Sequence, residues 1–278
     1  MSLKQGQDRK ILREQEYADD AHLDIRQRTH KLYTINPVNF GRWTLERLAW
    51  RGNERVLDIG CGPGELLAEM ARQQDGWRAL IGFDFSDGMI HQAVGASAGL
   101  ATRFFVGDAQ TIPFPDATFD VVMARHMLYH VPDVNLALAE AARVLCPGGS
   151  FLATTNSAHT MPEYAAIRQR AAARFPSLTE PGLSIDRFSM ENAASCLEPF
   201  FDQVRVSSLP GTLRFPSAQP FVDYFASARA MTMRPDHTDA EWQAILEFVT
   251  AETEAVIARQ GHFDVTKITC AVVGIKGG

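Results

Sequence analysis

The sequence predicts an α/β fold in which a doubly wound, mostly parallel sheet is accompanied by helical segments outside the alternation. Two observations carry this. From about residue 54 to 155, five short apolar, β-rich runs alternate with helical stretches, which is the pattern of βαβ units. The turn Gly60-Cys61-Gly62-Pro63-Gly64 follows the first run and opens the first helix.

The strands expected in order are 55–60 (RVLDIG), 78–84 (RALIGFD), 102–107 (TRFFVG), 119–125 (FDVVMAR) and 150–155 (SFLATT), each apolar enough to be covered on both faces. Ser86 is placed to cap a helix through Met89 and Ile90, and Asp133 one that runs to Leu145. Pro147-Gly148-Gly149 should stop that helix and turn into the next strand. Gln203 to Leu209 and Lys267 to Lys276 read as further strands that complete the sheet.

Three segments fall outside this alternation. Residues 8–50 are helical in pattern and broken at Asn36-Pro37, with Tyr17, Tyr33, Phe40, Trp43 and Trp50 among them. Residues 157–199 open with polar turn chemistry and end in a helix capped at Ser189. Residues 216–262 hold two helices, the second introduced by the capping box Thr238-x-x-Glu241 and closed at Gly261. The organisation expected is a helical cover over 1–53 and a core over 54–278, with helical insertions at about 157–199 and 216–262. Active sites of open α/β sheets lie beyond the carboxyl ends of the strands, where such additions serve as covers; ordinary packing helices are the other reading.

Composition narrows the partners. In 278 residues, 46% apolar content supports a substantial core, and a net charge of -6 gives no field to gather phosphates, so nucleic acid is not expected. The cysteines at 61, 146, 196 and 270 lack C-x-x-C spacing, which argues against zinc and fits reduced thiols. No signal-like start and no run of ~18 apolar residues is present, so the expectation is a cytoplasmic protein with no membrane span.

The glycine turn departs from a dinucleotide fingerprint. Position 65 is Glu, a carboxylate where a pyrophosphate would approach the helix N-terminus, and position 58 is Asp. Two carboxylates flanking the turn disfavour a phosphate and tolerate a cation. Asp84, at the end of the second strand, can accept both hydroxyls of a ribose, and Asp108 ends the third. Any one acid could be a helix cap, but carboxylates at three successive strand ends call for a common partner.

The runs VLDIGCGPGE, GFDFS, GDAQTIPFPDATFDVV and RVLCPGG resemble the successive motifs of class I S-adenosylmethionine-dependent methyltransferases, in particular the branch with the ubiquinone, menaquinone and natural-product enzymes. The resemblance spans roughly residues 54 to 155. It implies a seven-stranded, Rossmann-like sheet with its last strand antiparallel, and S-adenosylmethionine as cofactor with S-adenosylhomocysteine as product. By position, Gly60, Cys61 and Gly62 would lie against the methionine part, and Asp58 would orient the loop and the ammonium. Asp84 would hold the ribose hydroxyls, with Phe85, Ser86 and Met89 beside ribose and adenine. Asp108 and the backbone N–H of Ala109 would meet the adenine, and the backbone near Arg125 the ammonium.

Methyl transfer from a sulfonium needs alignment and exclusion of water more than acid–base chemistry. Where the acceptor must lose a proton, His serves. In Arg125-His126-Met127-Leu128-Tyr129-His130, His130 is the first candidate for a base or acceptor-orienting group and His126 the second; they share a face if the turn is helical, and either can equally serve backbone or cofactor alone. The pair lacks the central Glu of a zinc-protease helix and a third ligand, so no metal site is expected. Arg26, Arg28, His30 and Tyr33 either close over a ligand or form a solvated helix face. Met231 and Met233, with Phe221, Tyr224 and Phe225, either line an adaptable pocket or pack a core.

The function expected is methyl transfer from S-adenosylmethionine to an O, N or C atom of a small organic metabolite, by a monomer or homodimer. The alternatives are an NAD-dependent oxidoreductase, which leaves Glu65 and Asp108 unexplained, and a non-catalytic S-adenosylmethionine-binding module.

Overall fold

The structure, a computed structural model, describes residues 21–73, 76–179 and 184–278, so the helical reading of residues 8–20, Tyr17 included, lies outside the described residues. Contacts divide the chain into two compact units. Within the described residues, one comprises 38–158, 184–209 and 269–278, and the other 21–37, 159–179 and 210–268.

A sheet of order β3-β2-β1-β4-β5-β7-β6 organises the chain. Its strands are β1 (Arg55–Ile59), β2 (Ala79–Asp84), β3 (Thr102–Val106), β4 (Phe119–Arg125), β5 (Leu145–Asn156), β6 (Asp202–Phe215) and β7 (Phe263–Ile275). β1 lies between β2 and β4 with both pairings parallel, in the registers Arg55↔Ala79 and Val56↔Val121. β5 and β7 are antiparallel from Ser150↔Ile275 to Asn156↔Thr269, as the resemblance implies for the last strand. The strand order reverses between β1 and β4, which makes the carboxyl ends of these strands the switch point where an open α/β sheet binds its ligand.

Alternation along the strands supplies the cores of the sheet unit. Leu57, Ile59, Phe83, Val122 and Phe151 face one side, and the intervening Val56, Leu80, Met123 and Leu152 join a second cluster with Leu67 and Met70 of α3 (Glu65–Gln73) on the other. Phe151 stacks on Phe201 with ring centroids 4.9 Å apart. Local signals place the helices of this unit, beginning with α2 (Phe40–Leu45), which follows α1 (Ala21–Tyr33) of the other unit. Asn36, at the expected break between them, takes a left-handed conformation. Ser86 caps α4 (Asp87–Ala96) by accepting the N–H of Met89, and Asp133 caps α5 (Val134–Val144) by accepting that of Leu136.

Three local expectations are corrected. α5 stops at Val144, ahead of Pro147-Gly148-Gly149, and the sheet resumes at once. The register then jumps from Phe119↔Leu145 to Val121↔Ser150, so the glycines form a bulge inside β5 and do not end the helix. Ser189 is not a helix cap either: the N-cap of α7 (Ala193–Leu197) is Asn192, whose side chain accepts the N–H of Ser189. β6 also outruns its expected end at Leu209, because Pro210 is tolerated on the terminal strand of the sheet.

The other unit is helical around a second core. Leu213, Phe215, Phe221, Phe225, Met233, Trp242, Ile245 and Val249 pack together from the ends of β6 and from α8 (Ala218–Ala226) and α10 (Asp239–Gln260), with α6 (Pro162–Arg174) contributing Ile167 and Ala171. Three helices, with α9 (Arg229–Thr232) between the other two, occupy the stretch for which two were expected. Phe221, Phe225 and Met233 are core residues, which settles the packing reading for those three; Tyr224 and Met231 keep partial exposure.

α10 opens on the expected capping box, in which the N–H of Glu241 donates to Thr238 Oγ1 at 3.1 Å and the N–H of Thr238 to Glu241 Oε2 at 3.0 Å. Thr238→Ala removes an acceptor for the first turn at a cost of about 1 kcal/mol. Thermal unfolding followed by circular dichroism should then fall by roughly 2–4 °C for a chain of this size.

Candidate functional site

The three acids sit at the carboxyl ends of three adjacent parallel strands, Asp58 on β1, Asp84 on β2 and Asp108 just after β3. The glycine turn joins them. Gly60 has φ +64°, and a Cβ there would lie 2.8 Å from the Met127 side chain, so both its conformation and its neighbour require glycine. The N–H of Cys61 then donates to Phe83 O at 3.0 Å, and that of Gly62 to Asp84 Oδ2 at 3.0 Å. The other oxygen of Asp84 accepts the N–H of Ser86 at 3.0 Å. One carboxylate thus ties the loop after β1 to the loop after β2, and the N–H of Gly107 on Asp84 O adds the loop after β3.

These groups are electrostatically strained. Burial pushes the Asp58 carboxyl up, against the opposing pull of the Arg125 guanidinium, whose Nη2 lies 3.4 Å from Asp58 Oδ2. Burial also pushes Asp84 up; the N–H groups of Ser86 and Gly62 counter it, and the charge of Asp58 adds to it. The Cys61 thiol is raised well above its ordinary value by burial and by both acids, so it stays protonated and is no nucleophile. Among the described residues, the buried Asp58 Oδ1 and Arg125 Nε have no hydrogen-bond partner. A free acceptor and a free donor side by side fit the amino-acid end of a zwitterionic ligand, with its ammonium for Asp58 and its carboxylate for Arg125.

The remaining expected residues are placed as follows. Phe85 is half-buried, whereas Ser86 and Met89 are buried and the Ser86 hydroxyl is taken by the cap of α4. Asp108 Oδ1 accepts the N–H of Gln110 at 3.0 Å, and Ala109 beside it is buried. His126 and His130 do not share a helix face. Only Leu128–His130 form a 3-10 turn, and His126 precedes it in a left-handed conformation with φ 51°. The His126 N–H is held by Thr154 O at 3.0 Å, its ring lies 5.4 Å from that of Phe40, and burial together with the Arg125 charge depresses it to about 4. The His130 ring packs 4.6 Å from Tyr129. Arg26, Arg28, His30 and Tyr33 all belong to the other unit. There Arg28 pairs with Asp24 on an exposed face, while the Tyr33 ring packs at a tilt against Phe215.

Several contributors escaped sequence reading. Gly82 on β2 leaves room for Cys61 Sγ, which a Cβ would approach to 2.9 Å; an interior strand glycine was the available signal. Met127 closes on Gly60, and Gln110 links Asp108 to the N–H of Asp133 at 3.0 Å. Neither carries a sequence signal.

Residues 57–153 match the family model described as a methyltransferase domain. Over 106 residues the chain is 40% identical to 27-O-demethylrifamycin SV methyltransferase of Amycolatopsis mediterranei, covering 37% of this chain and 38% of that protein. Over 122 residues it is 34% identical to a ubiquinone/menaquinone biosynthesis C-methyltransferase of Geobacter sulfurreducens, covering 40% and 48%. The chain thus spans less than half the length of these curated relatives. In fold it is similar to phosphoethanolamine N-methyltransferase 2 of Haemonchus contortus in complex with S-adenosyl-L-methionine, with a TM-score of 0.59, 17% identity, and coverage of 100% of this chain and 60% of that one. The resemblance read from the motifs therefore holds over the sheet core, and nothing in these likenesses favours a nicotinamide oxidoreductase.

A depressed His126 has a definite pH signature. Its neutral form is favoured on folding, so the associated stability is complete above about pH 6.5 and is lost as pH falls toward 4, where the unfolded chain takes up a proton that the folded chain refuses. Asn tolerates the left-handed backbone at this position and does not titrate. Chemical denaturation should show wild type losing more stability than His126→Asn between pH 6.5 and 4. A proton NMR titration should find the His126 midpoint near 4; a midpoint near 6.5 overturns the assignment.

Proposed function

We propose that the chain transfers a methyl group from S-adenosylmethionine to an O, N or C atom of a small organic metabolite, acting as a monomer or homodimer. The observation that carries this reading is the pair of buried acids, Asp58 and Asp84, both held above the usual carboxylate range around a glycine turn. A ligand bearing positive charge returns both to their charged form, whereas a phosphate worsens their situation. Glu65 at the first residue of α3 works the same way, since it places a carboxylate where a pyrophosphate would seek the helix N-terminus.

When bound, S-adenosylmethionine supplies an already activated methyl group on its sulfonium. Asp58 and Arg125 then meet its amino-acid end, with Gly60, Cys61 and Gly62 against the same part. The lone pairs that Asp84 keeps after accepting Gly62 and Ser86 take the ribose hydroxyls. Phe85 and Met89 pack beside ribose and adenine, and Asp108 with the Ala109 N–H reads the adenine edge. Holding the acceptor in line with the methyl group is worth about 7–11 kcal/mol and leaves little for a base to do. Where a proton must leave the acceptor, the His130 imidazole takes it. His126, at about 4, is too weak a base near neutral pH and serves to orient.

Isothermal titration with S-adenosylhomocysteine should give micromolar binding, weakened at least tenfold in Asp84→Asn. Reduced nicotinamide dinucleotide should show no saturable fluorescence change. Absence of S-adenosylhomocysteine binding by the intact chain rejects the proposal, and binding without label transfer to any small molecule of a cell extract points to a non-catalytic module.

A further inference from the structure

The segment that follows β3 is fastened to α5 largely through its backbone. The N–H of Ile112 donates to Glu140 Oε2 at 2.8 Å, and Arg143 donates to Ile112 O at 2.9 Å and to Phe114 O at 2.8 Å. Arg143 also reaches Glu140 Oε1 at 2.7 Å, and this pairing holds the Glu140 carboxyl below its ordinary range. The turn ahead is closed by its own backbone, with the N–H of Thr111 donating to Asp108 O at 3.0 Å. None of these bonds uses the Gln110 side chain, so the course of the chain here does not depend on it.

What Gln110 does touch is the Asp108 carboxylate. Its backbone N–H donates to Asp108 Oδ1 at 3.0 Å, and its side-chain Nε2 approaches the same oxygen at 3.4 Å. Its Oε1 accepts the N–H of Asp133 at 3.0 Å, and Asp133 in turn caps α5 through the N–H of Leu136. A backbone N–H can only donate, so Asp133 fixes which end of the amide is oxygen and turns the NH2 toward Asp108. The amide thus serves two neighbours at once, as acceptor for an N–H and as donor for a carboxylate. A carboxylate that accepts from an NH2 held in this way has its rotation set, and its lone pairs are aimed. Asp108 and Gln110 both keep partial exposure, which a ligand needs in order to reach that edge.

We propose that Gln110 is a positioning residue that makes the site selective for a 6-amino purine, by holding the Asp108 carboxylate in the orientation that accepts the amino group. Resting on the methyltransferase reading, in which Asp108 meets the adenine, this assigns base selectivity to the Gln110–Asp108 pair and not to Asp108 alone. A purine with hydrogen in place of the amino group offers the carboxylate no donor in return for its lost water, and binds more weakly. The ring nitrogen facing the Ala109 N–H is the same in both purines, so comparing them isolates Asp108.

The test is isothermal titration of the full chain with S-adenosylhomocysteine and with its analogue carrying hydrogen at C6 of the purine. Wild type should favour S-adenosylhomocysteine by about tenfold, the scale of one hydrogen bond to a charged group. Gln110→Leu should bring that preference to roughly twofold or less by weakening S-adenosylhomocysteine alone, with the affinity of the analogue unchanged. A residue that merely supported the turn would weaken both ligands alike and leave the ratio as it was, and that result overturns the proposal. Gln110→Glu keeps the acceptor for Asp133 but sets a second negative charge against Asp108. It should lose the preference as fully, and it decides the matter if Gln110→Leu does not fold. Retained preference in a folded Gln110→Glu chain, or equal binding of the two ligands by wild type, is equally fatal. An intact chain that binds neither ligand removes the methyltransferase reading and this proposal together, whereas S-adenosylhomocysteine binding with a ratio indifferent to Gln110 removes this proposal alone.

Discussion

The two hydrogen bonds that Asp84 accepts are the constraint on which the sheet end depends. The N–H of Gly62 and that of Ser86 belong to different βα turns, and a single buried carboxylate holds both. Such charge-assisted bonds are stronger than neutral ones, and they fix the left-handed glycine turn relative to the start of α4. Gly60 against Met127 and Gly82 against Cys61 are consequences of the same close approach: once the turns are drawn together, no Cβ fits between them and their neighbours.

That closeness has an electrostatic cost. Asp58 and Asp84 are both buried; Arg125 pairs with Asp58 at a long 3.4 Å, and among the described residues nothing satisfies Asp58 Oδ1 or Arg125 Nε. A fold seldom keeps unpaired buried charge for its own sake; the group is ordinarily neutralised, paired or bound to something. The relation between strain and function runs from the observed atoms to the ligand. Positive charge, a free ammonium donor and a carboxylate acceptor are what these atoms lack.

The helical unit shows the complementary arrangement. Its core is dense in Phe, Trp and Leu, and hydrophobic burial suffices to account for it. Lys267 of β7 and its neighbours Thr34 and His30 add nothing to that burial, and a half-buried ammonium with a neutral hydroxyl and an imidazole for company carries a desolvation penalty.

The sequence by itself determined the strands, the caps at Ser86, Asp133 and Thr238, and the three strand-end acids, because these rest on local patterning and on side chains bonding within a few residues. It misread Pro147-Gly148-Gly149 and Ser189, where the same residue types serve a bulge between strands and a turn, and only pairing partners distinguish those uses. It also allowed His126 and His130 a common helix face that a left-handed residue and a single 3-10 turn deny them. Tertiary structure alone decided the Gly62 to Asp84 bond, the unsatisfied atoms of Asp58 and Arg125, and the meeting of His30 with Lys267. Each joins residues whose separation along the chain has no periodicity, so their energies depend on burial and proximity that no local pattern encodes.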